Sequence, residues 1–260
     1  MKPTSLTMES PRPAHEWFAG AIFIAVVVAC WAWIVPMAID MYGGMTGSSA
    51  WMMVGEWDVA HLSLLFAMWV VMMTGMMLPS AAPMLLRYTS AAHSYSNGRR
   101  AVAYAGAITV GYLVVWTLFS LLATVLQRGF AQLRWLNPMM EPGNHVFGAA
   151  LLALAGVYQL TPWRRAFMDS CRSSARCSIA NPDLRLSRSF QIGVFHGLKC
   201  LGCCWALMLL LFVGGVMNLW CIAALTIFVI LEKLGPFGVH MGSLSGVALL
   251  ALSIWYLFAQ

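Results

Sequence analysis

The feature that most restricts what this chain can fold into is the recurrence of long apolar runs from one end to the other. Each is long enough, or nearly so, to cross about 30 Å of hydrocarbon at roughly 1.5 Å per residue. They fall at 17–39, 62–84, 101–126, 145–160, 190–213, 216–231 and 239–258. A backbone facing lipid must satisfy its own hydrogen bonds, and continuous runs do this as helices, whereas short alternating ones make barrel strands. The expectation is an all-α polytopic membrane helix bundle of about seven transmembrane helices, with six as the alternative because 145–160 and 216–231 are short. Composition agrees, since 61% of the 260 residues are apolar, 9% are charged and the mean hydropathy is +0.77. No water-soluble core requires that much apolar surface.

Basic residues set the expected orientation, because they flank alternate ends of the runs. Lys2, Arg12, Arg87, Arg99, Arg100, Arg164, Arg165, Arg172, Arg176, Arg185, Arg188 and Lys233 fall on one side, against Arg128 and Arg134 on the other. This puts the N-terminus in the cytoplasm and the C-terminus outside, in a bacterial inner membrane crossed many times. Residues 1–16 read as a cytoplasmic N-terminal tail and 17–260 as a single membrane domain with a basic cytoplasmic loop at 161–189. The first run exceeds a signal-peptide core and is expected to be kept. Val27-Val28-Ala29-Cys30 resembles a lipobox, which would instead mean cleavage and lipidation. The lipid bilayer is the first partner, with anionic headgroups the plain counterpart of the Arg-rich loop. The net charge of +6 follows from this topology and implies no nucleic-acid partner. With no phosphate-binding loop, no nucleotide is expected either.

The second run carries an unusual load of sulfur. Met68, Met72 and Met76 stand at i, i+4, i+8, and Met73 and Met77 form a second ridge beside them, with Met84 one to two turns on. Methionine is also a flexible apolar filler, so packing alone is the competing account. Pro79 and Pro83 remove the hydrogen bonds to the carbonyls of Gly75 and Pro79, which predicts a helix break that presents free carbonyls to a cavity, or a simple packing kink. The segment 40–61 adds Met41, Met45, Met52, Met53, Asp58 and His61 without a basic residue, a composition that could recruit a soft cation.

The fifth run holds His196-Gly-Leu-Lys-Cys200-Leu-Gly-Cys203-Cys204. On a helix His196, Cys200, Cys203 and Cys204 fall within an arc of about 100°, so imidazole and thiols share a face. Such ligands select Cu(I), zinc or iron–sulfur clusters over magnesium or calcium. Lys199 lies in the same run and must snorkel or find a partner. Cys171 and Cys177 offer two further thiols, six residues apart, in the basic segment. No run holds Asp or Glu away from its ends, which disfavours hard-cation permeation and proton antiport. The last run has no lysine for a retinal Schiff base.

Three blocks carry a family resemblance: Met76-Met-Leu-Pro-Ser-Ala-Ala-Pro-Met84, Tyr158-Gln-Leu-Thr-Pro162 followed by Cys171 and Cys177, and His196 through Met208 and Gly215-Val-Met217 to Glu232-Lys233. Together they resemble the bacterial membrane proteins grouped as domain of unknown function 2182, described as predicted metal-binding integral membrane proteins. The resemblance covers about 62–233 and implies metal binding without naming a reaction. The Met-x-x-x-Met spacing is also similar, locally, to that of eukaryotic copper permeases.

These features point to a Cu(I)-handling membrane protein, a permease or a membrane metal donor, more than to an enzyme. In this reading Met72, Met73, Met76 and Met77 pass the ion to His196, Cys200, Cys203 and Cys204, with Met68, Met84, His61, Cys171 and Cys177 as relay positions. A periplasmic or cytoplasmic copper carrier, or another membrane subunit, would be the partner. One alternative is an intramembrane thiol–disulfide relay through Cys200 and Cys203, a C-x-x-C pair. A second is a scaffold subunit that binds no metal, whose methionines only pack.

Overall fold

The computed structural model describes residues 14–43, 58–95, 98–137, 140–176, 185–235 and 238–258. They form helices α1 (Ala14–Tyr42), α2 (Val59–Tyr95), α3 (Gly98–Gln132), α4 (His145–Leu160), α5 (Pro162–Arg176), α6 (Leu186–Met208), α7 (Leu211–Gly214), α8 (Leu219–Leu234) and α9 (Gly238–Phe258). Among the described residues the only β pairing is an isolated bridge, Leu136 to Pro142. The all-α expectation holds.

Among the described residues, five segments are long and apolar enough to cross a membrane: Gly20–Met41, Val59–Ala92, Arg99–Gln132, Leu186–Gly214 and His240–Phe258. A sixth arises if His145–Leu160 and Pro162–Ser173, which meet at 65°, count as one bent span. The remaining predicted run, 216–231, corresponds to α8, whose 16 residues rise only about 24 Å.

The bend between α4 and α5 has a local cause. The residue before proline is pushed out of the helical region, and Thr161 accordingly sits at φ −68°, ψ 146°. Its hydroxyl donates to the Tyr158 carbonyl at 2.7 Å and accepts from the Arg164 N–H at 3.3 Å, ending one helix and starting the next. Pro162 then occupies the first helical position, where a missing N–H costs nothing. The expected loop at 161–189 is therefore helical over Pro162–Arg176, and it buries Arg164, Met168 and Cys171. Cys177 lies outside the described residues, as do Met45, Met52 and Met53.

The prolines of α2 do not interrupt it. The helix runs unbroken for 37 residues through Pro79 and Pro83, and the carbonyl that Pro79 releases, that of Gly75, accepts a hydrogen bond from Trp31 Nε1 of α1 at 3.3 Å. The expected break becomes a satisfied contact between helices instead of an opening. This follows from the cost of leaving a carbonyl unpaired away from water.

α3 and α6 approach most closely where their side chains vanish. A Cβ at Gly193 would overlap the Ile108 carbonyl, and one at Gly111 the Phe190 carbonyl. Small residues at such crossings let backbones touch and gain dispersion contacts that lipid cannot replace. The methionines face this interior: Met68, Met72, Met73, Met76 and Met77 are each at most 1% exposed. Outward positions of α3 such as Leu118, Leu121, Leu122 and Val125 are exposed, as lipid-facing positions should be.

Candidate metal centre

All four predicted residues of α6 turn inward: His196, Cys200, Cys203 and Cys204 are buried on the face that packs against the other helices. Around Cys200 the chain builds a closed polar ring that joins four helices. Lys233 of α8 points its ammonium at Cys200 Sγ, 2.8 Å away, and at Ser80 Oγ of α2, 3.1 Å away. Ser80 donates to the Met77 carbonyl at 2.7 Å, and Tyr112 of α3 donates to the same carbonyl at 3.0 Å. The Tyr112 hydroxyl lies 3.0 Å from Cys200 Sγ and closes the ring. The segment around Pro79 and the cysteine helix, far apart in sequence, thus meet at one place.

The other thiols extend from this ring as a chain. Cys200 is within hydrogen-bonding reach of Cys204, Cys204 Sγ is 3.2 Å from Cys203 Sγ, and Cys203 reaches Cys171 of α5. Cys203 also donates its S–H to the Cys200 carbonyl at 3.1 Å. Among the described residues no three His, Cys, Asp or Glu side chains are arranged around one point as a preformed metal cage. The thiols meet in pairs, and pairs are what soft ions of low coordination number require.

His196 lies one turn before Cys200, with its ring 5.8 Å from that of Tyr112. Its Nδ1 is buried and has no hydrogen-bond partner. Buried polar atoms are seldom left so, and an unclaimed ring nitrogen beside thiols is chemically suited to a soft metal. His61 is elsewhere: it lies in the first turn of α2, where Asp58 Oδ1 caps the helix by accepting its backbone N–H at 2.7 Å, about 24 Å from Met77 along the helix axis. Met84 is buried one turn beyond Ser80. Lys199 is half-buried; the fully buried ammonium is Lys233.

The basic residues expected on the cytoplasmic side include Lys233, Arg164 and Arg172. The structure buries Lys233 and Arg164 and half-buries Arg172. Arg164 forms an ion pair with Glu232, both at most 1% exposed. Arg172 donates to the Gly235 carbonyl at 2.6 Å and the Glu232 carbonyl at 3.5 Å. Charges that cannot reach water are held here by partners. Tyr112 carried no sequence signal as a site residue, while Ser80 and Glu232-Lys233 stood in the resemblance only as parts of its motifs.

A family model described as a copper chaperone, PpoB2, matches residues 66–256. The chain belongs to this copper-chaperone family. The match takes in α2 from its second turn through nearly all of α9, and so every residue of the ring and the thiol chain. The family is copper-related, in line with the metal binding that the resemblance implied, but it carries a different name from the grouping the motifs suggested. Comparison with curated proteins and with solved structures gives no match.

Proposed function

We propose that the chain is a membrane Cu(I) donor that takes the ion along the methionine ridge of α2 and holds it between paired thiols of α6 and α5. The observation that carries this reading is the closed ring in which Lys233 and Tyr112 hold Cys200 while Ser80 and Tyr112 both donate to the Met77 carbonyl, because it brings the first thiol level with the residue that ends the thioether ridge. Met72, Met73, Met76 and Met77 supply weak, redox-stable thioethers, and Cys200, Cys203, Cys204 and Cys171 supply stronger thiolates. His196 offers its unclaimed ring nitrogen between them. Each thiol that binds releases its proton, and the ion moves by exchanging one sulfur for the next.

The donor set fits Cu(I) as cargo. Soft sulfur and imidazole in a dry interior favour a soft monovalent ion, and pairs of thiols instead of a rigid cage suit an ion that must be handed on. A donor needs filling and emptying, which a closed structural site resists. With the basic ends of α2, α3 and α6 on the cytoplasmic side, the ridge from Met68 to Met77 descends inward to Cys200, from weak ligands to a stronger one.

A thiol–disulfide relay through Cys200 and Cys203 is less well supported, because the Cys203 thiol is turned to the Cys200 carbonyl while Cys200 Sγ is engaged by Lys233 and Tyr112. The deciding measurement is copper content of protein purified under reducing conditions in the presence of a Cu(I) chelator. A Cys200→Ser, Cys203→Ser variant is expected to retain less than about a tenth of the wild-type copper, a loss of one ligand-strength interaction or more. Wild-type copper in that variant would refute the site.

A further inference from the structure

The ring raises a question that the thiols alone do not: why a lysine ammonium is buried against the first of them. Lys233 is 6% exposed, and an ionisable group at that depth is costly unless it is matched. The nearest charged pair, Arg164 with Glu232, is internally neutral. Arg172 and Lys199 are only half-buried, so water and salt screen them. Lys233 is therefore the net buried charge of this region, and its contacts are Ser80 Oγ and Cys200 Sγ.

We propose that Lys233 is the specificity-determining residue of this site, a fixed positive charge that selects monovalent over divalent soft metal ions. The inference rests on the copper-site reading above. When two thiols bind a metal ion they give up two protons and contribute two negative charges. A monovalent ion and the Lys233 ammonium together cancel them, and the assembly is neutral. A divalent ion between the same two sulfurs is already neutral and leaves the ammonium uncompensated in the dry core. Three thiolates would reverse this count, but the described residues offer thiols in pairs and no converging set of three. Ser80 and Tyr112 fix the geometry: one holds the ammonium, the other holds Cys200, and both are anchored on the Met77 carbonyl.

The test uses Ag(I) and Hg(II), soft ions that both accept two sulfurs in line and differ by one charge. Full-length protein in detergent is titrated with each, in competition with a soluble dithiol, and the ratio of the two affinities is compared across variants. Lys233→Met keeps the length and removes the charge; it is expected to shift the ratio toward Hg(II) by about 100-fold or more, the order expected for an unpaired buried charge. Lys233→Arg keeps the charge and is expected to keep the wild-type ratio. An unchanged ratio in Lys233→Met, or a shift of that size in Lys233→Arg, overturns the proposal; Lys233→Gln, neutral but able to keep a hydrogen bond to Ser80, is read in the same way where the Met variant does not fold. Failure of the wild type to bind Ag(I) in a Cys200-dependent way would remove the copper site itself. That outcome is distinct from binding with an unaltered ratio, which removes only the role of Lys233.

Discussion

At the scale of single residues, the decisive contrast is between groups whose role is written in local spacing and groups whose role depends on which helix lands beside them. Cys200 takes two contacts from other helices, and the hydroxyl of Tyr112 ties it to the Met77 carbonyl. Tyr112→Phe deletes that tie without emptying the space. It is expected to lower stability by about 1 kcal/mol, the net worth of a typical buried hydrogen bond, and to speed loss of bound copper to a chelator, followed by stopped-flow absorbance. A larger cost is expected at Arg164. Arg164→Met strands the Glu232 carboxylate in the core and should destabilise by about 3–5 kcal/mol, whereas Arg164→Met with Glu232→Leu should recover most of the loss. Thermal unfolding in detergent separates the two. The methionine ridges and the His-Cys face were legible because helical periodicity alone aligns them. Lys233 was not, because at the end of a run a lysine looks like a cytoplasmic anchor. Its burial is decided by α2 and α6, whose Ser80 and Cys200 meet its ammonium.

At the scale of elements, helix contacts are set by what is absent as much as by what is present. Gly193 and Gly111 bring α3 and α6 into backbone contact, and this crossing holds Tyr112 over Cys200. Gly193→Leu must push the helices apart. The expectation is a loss of about 1–3 kcal/mol or more from overpacking, with weakened copper retention because Tyr112 moves with α3. Gly106→Leu on α3 is the control, since a Cβ there meets nothing within 4 Å; it should change stability by less than about 0.5 kcal/mol. In the sequence this crossing shows only as the small residues Gly193, Gly197 and Gly111. The second role of Pro79 did not announce itself, because the acceptor it frees at Gly75 is matched by Trp31, a residue 44 positions away. Proline reveals which carbonyl loses its partner but not what replaces it. The α5 helix was hidden for a related reason: its polar, Arg-rich composition reads as a loop until Glu232 and the carbonyls beyond it give the arginines partners.

At the scale of the whole molecule, helix length and the depth of the ring bear on the topology together. α2 and α3 have 37 and 35 residues, about 50–55 Å, far more than a 30 Å hydrocarbon core needs. α4 and α8 have 16 each, and both end at the level of the ring, where Arg164 meets Glu232 and Lys233 meets Cys200. α9 begins there as well, its Gly242 lying against the Arg164 guanidinium. Beyond that level α2, α3 and α6 continue for about 20 Å, carrying exposed Arg87, Arg99, Arg100 and Arg188. Such an arrangement fits a membrane face near the ring, with a three-helix arm standing in water beyond it. If α4 and α8 both cross, short as they are, by local thinning of the bilayer, the crossings number seven and the chain ends lie on opposite sides. Five crossings would give the same sidedness, and six would put both ends together. The expected outcome is that Arg99→Cys, in a background with the native cysteines replaced, reacts with an impermeant maleimide only from the cytoplasmic side, while a reporter that folds only outside the cytoplasm is active when fused after Gln260. Cytoplasmic placement of both would mean an even count, leaving α4 or α8 buried against protein without crossing. Reversed labelling of Arg99→Cys would turn the molecule over, and with it the direction in which thioethers hand their ion to thiols.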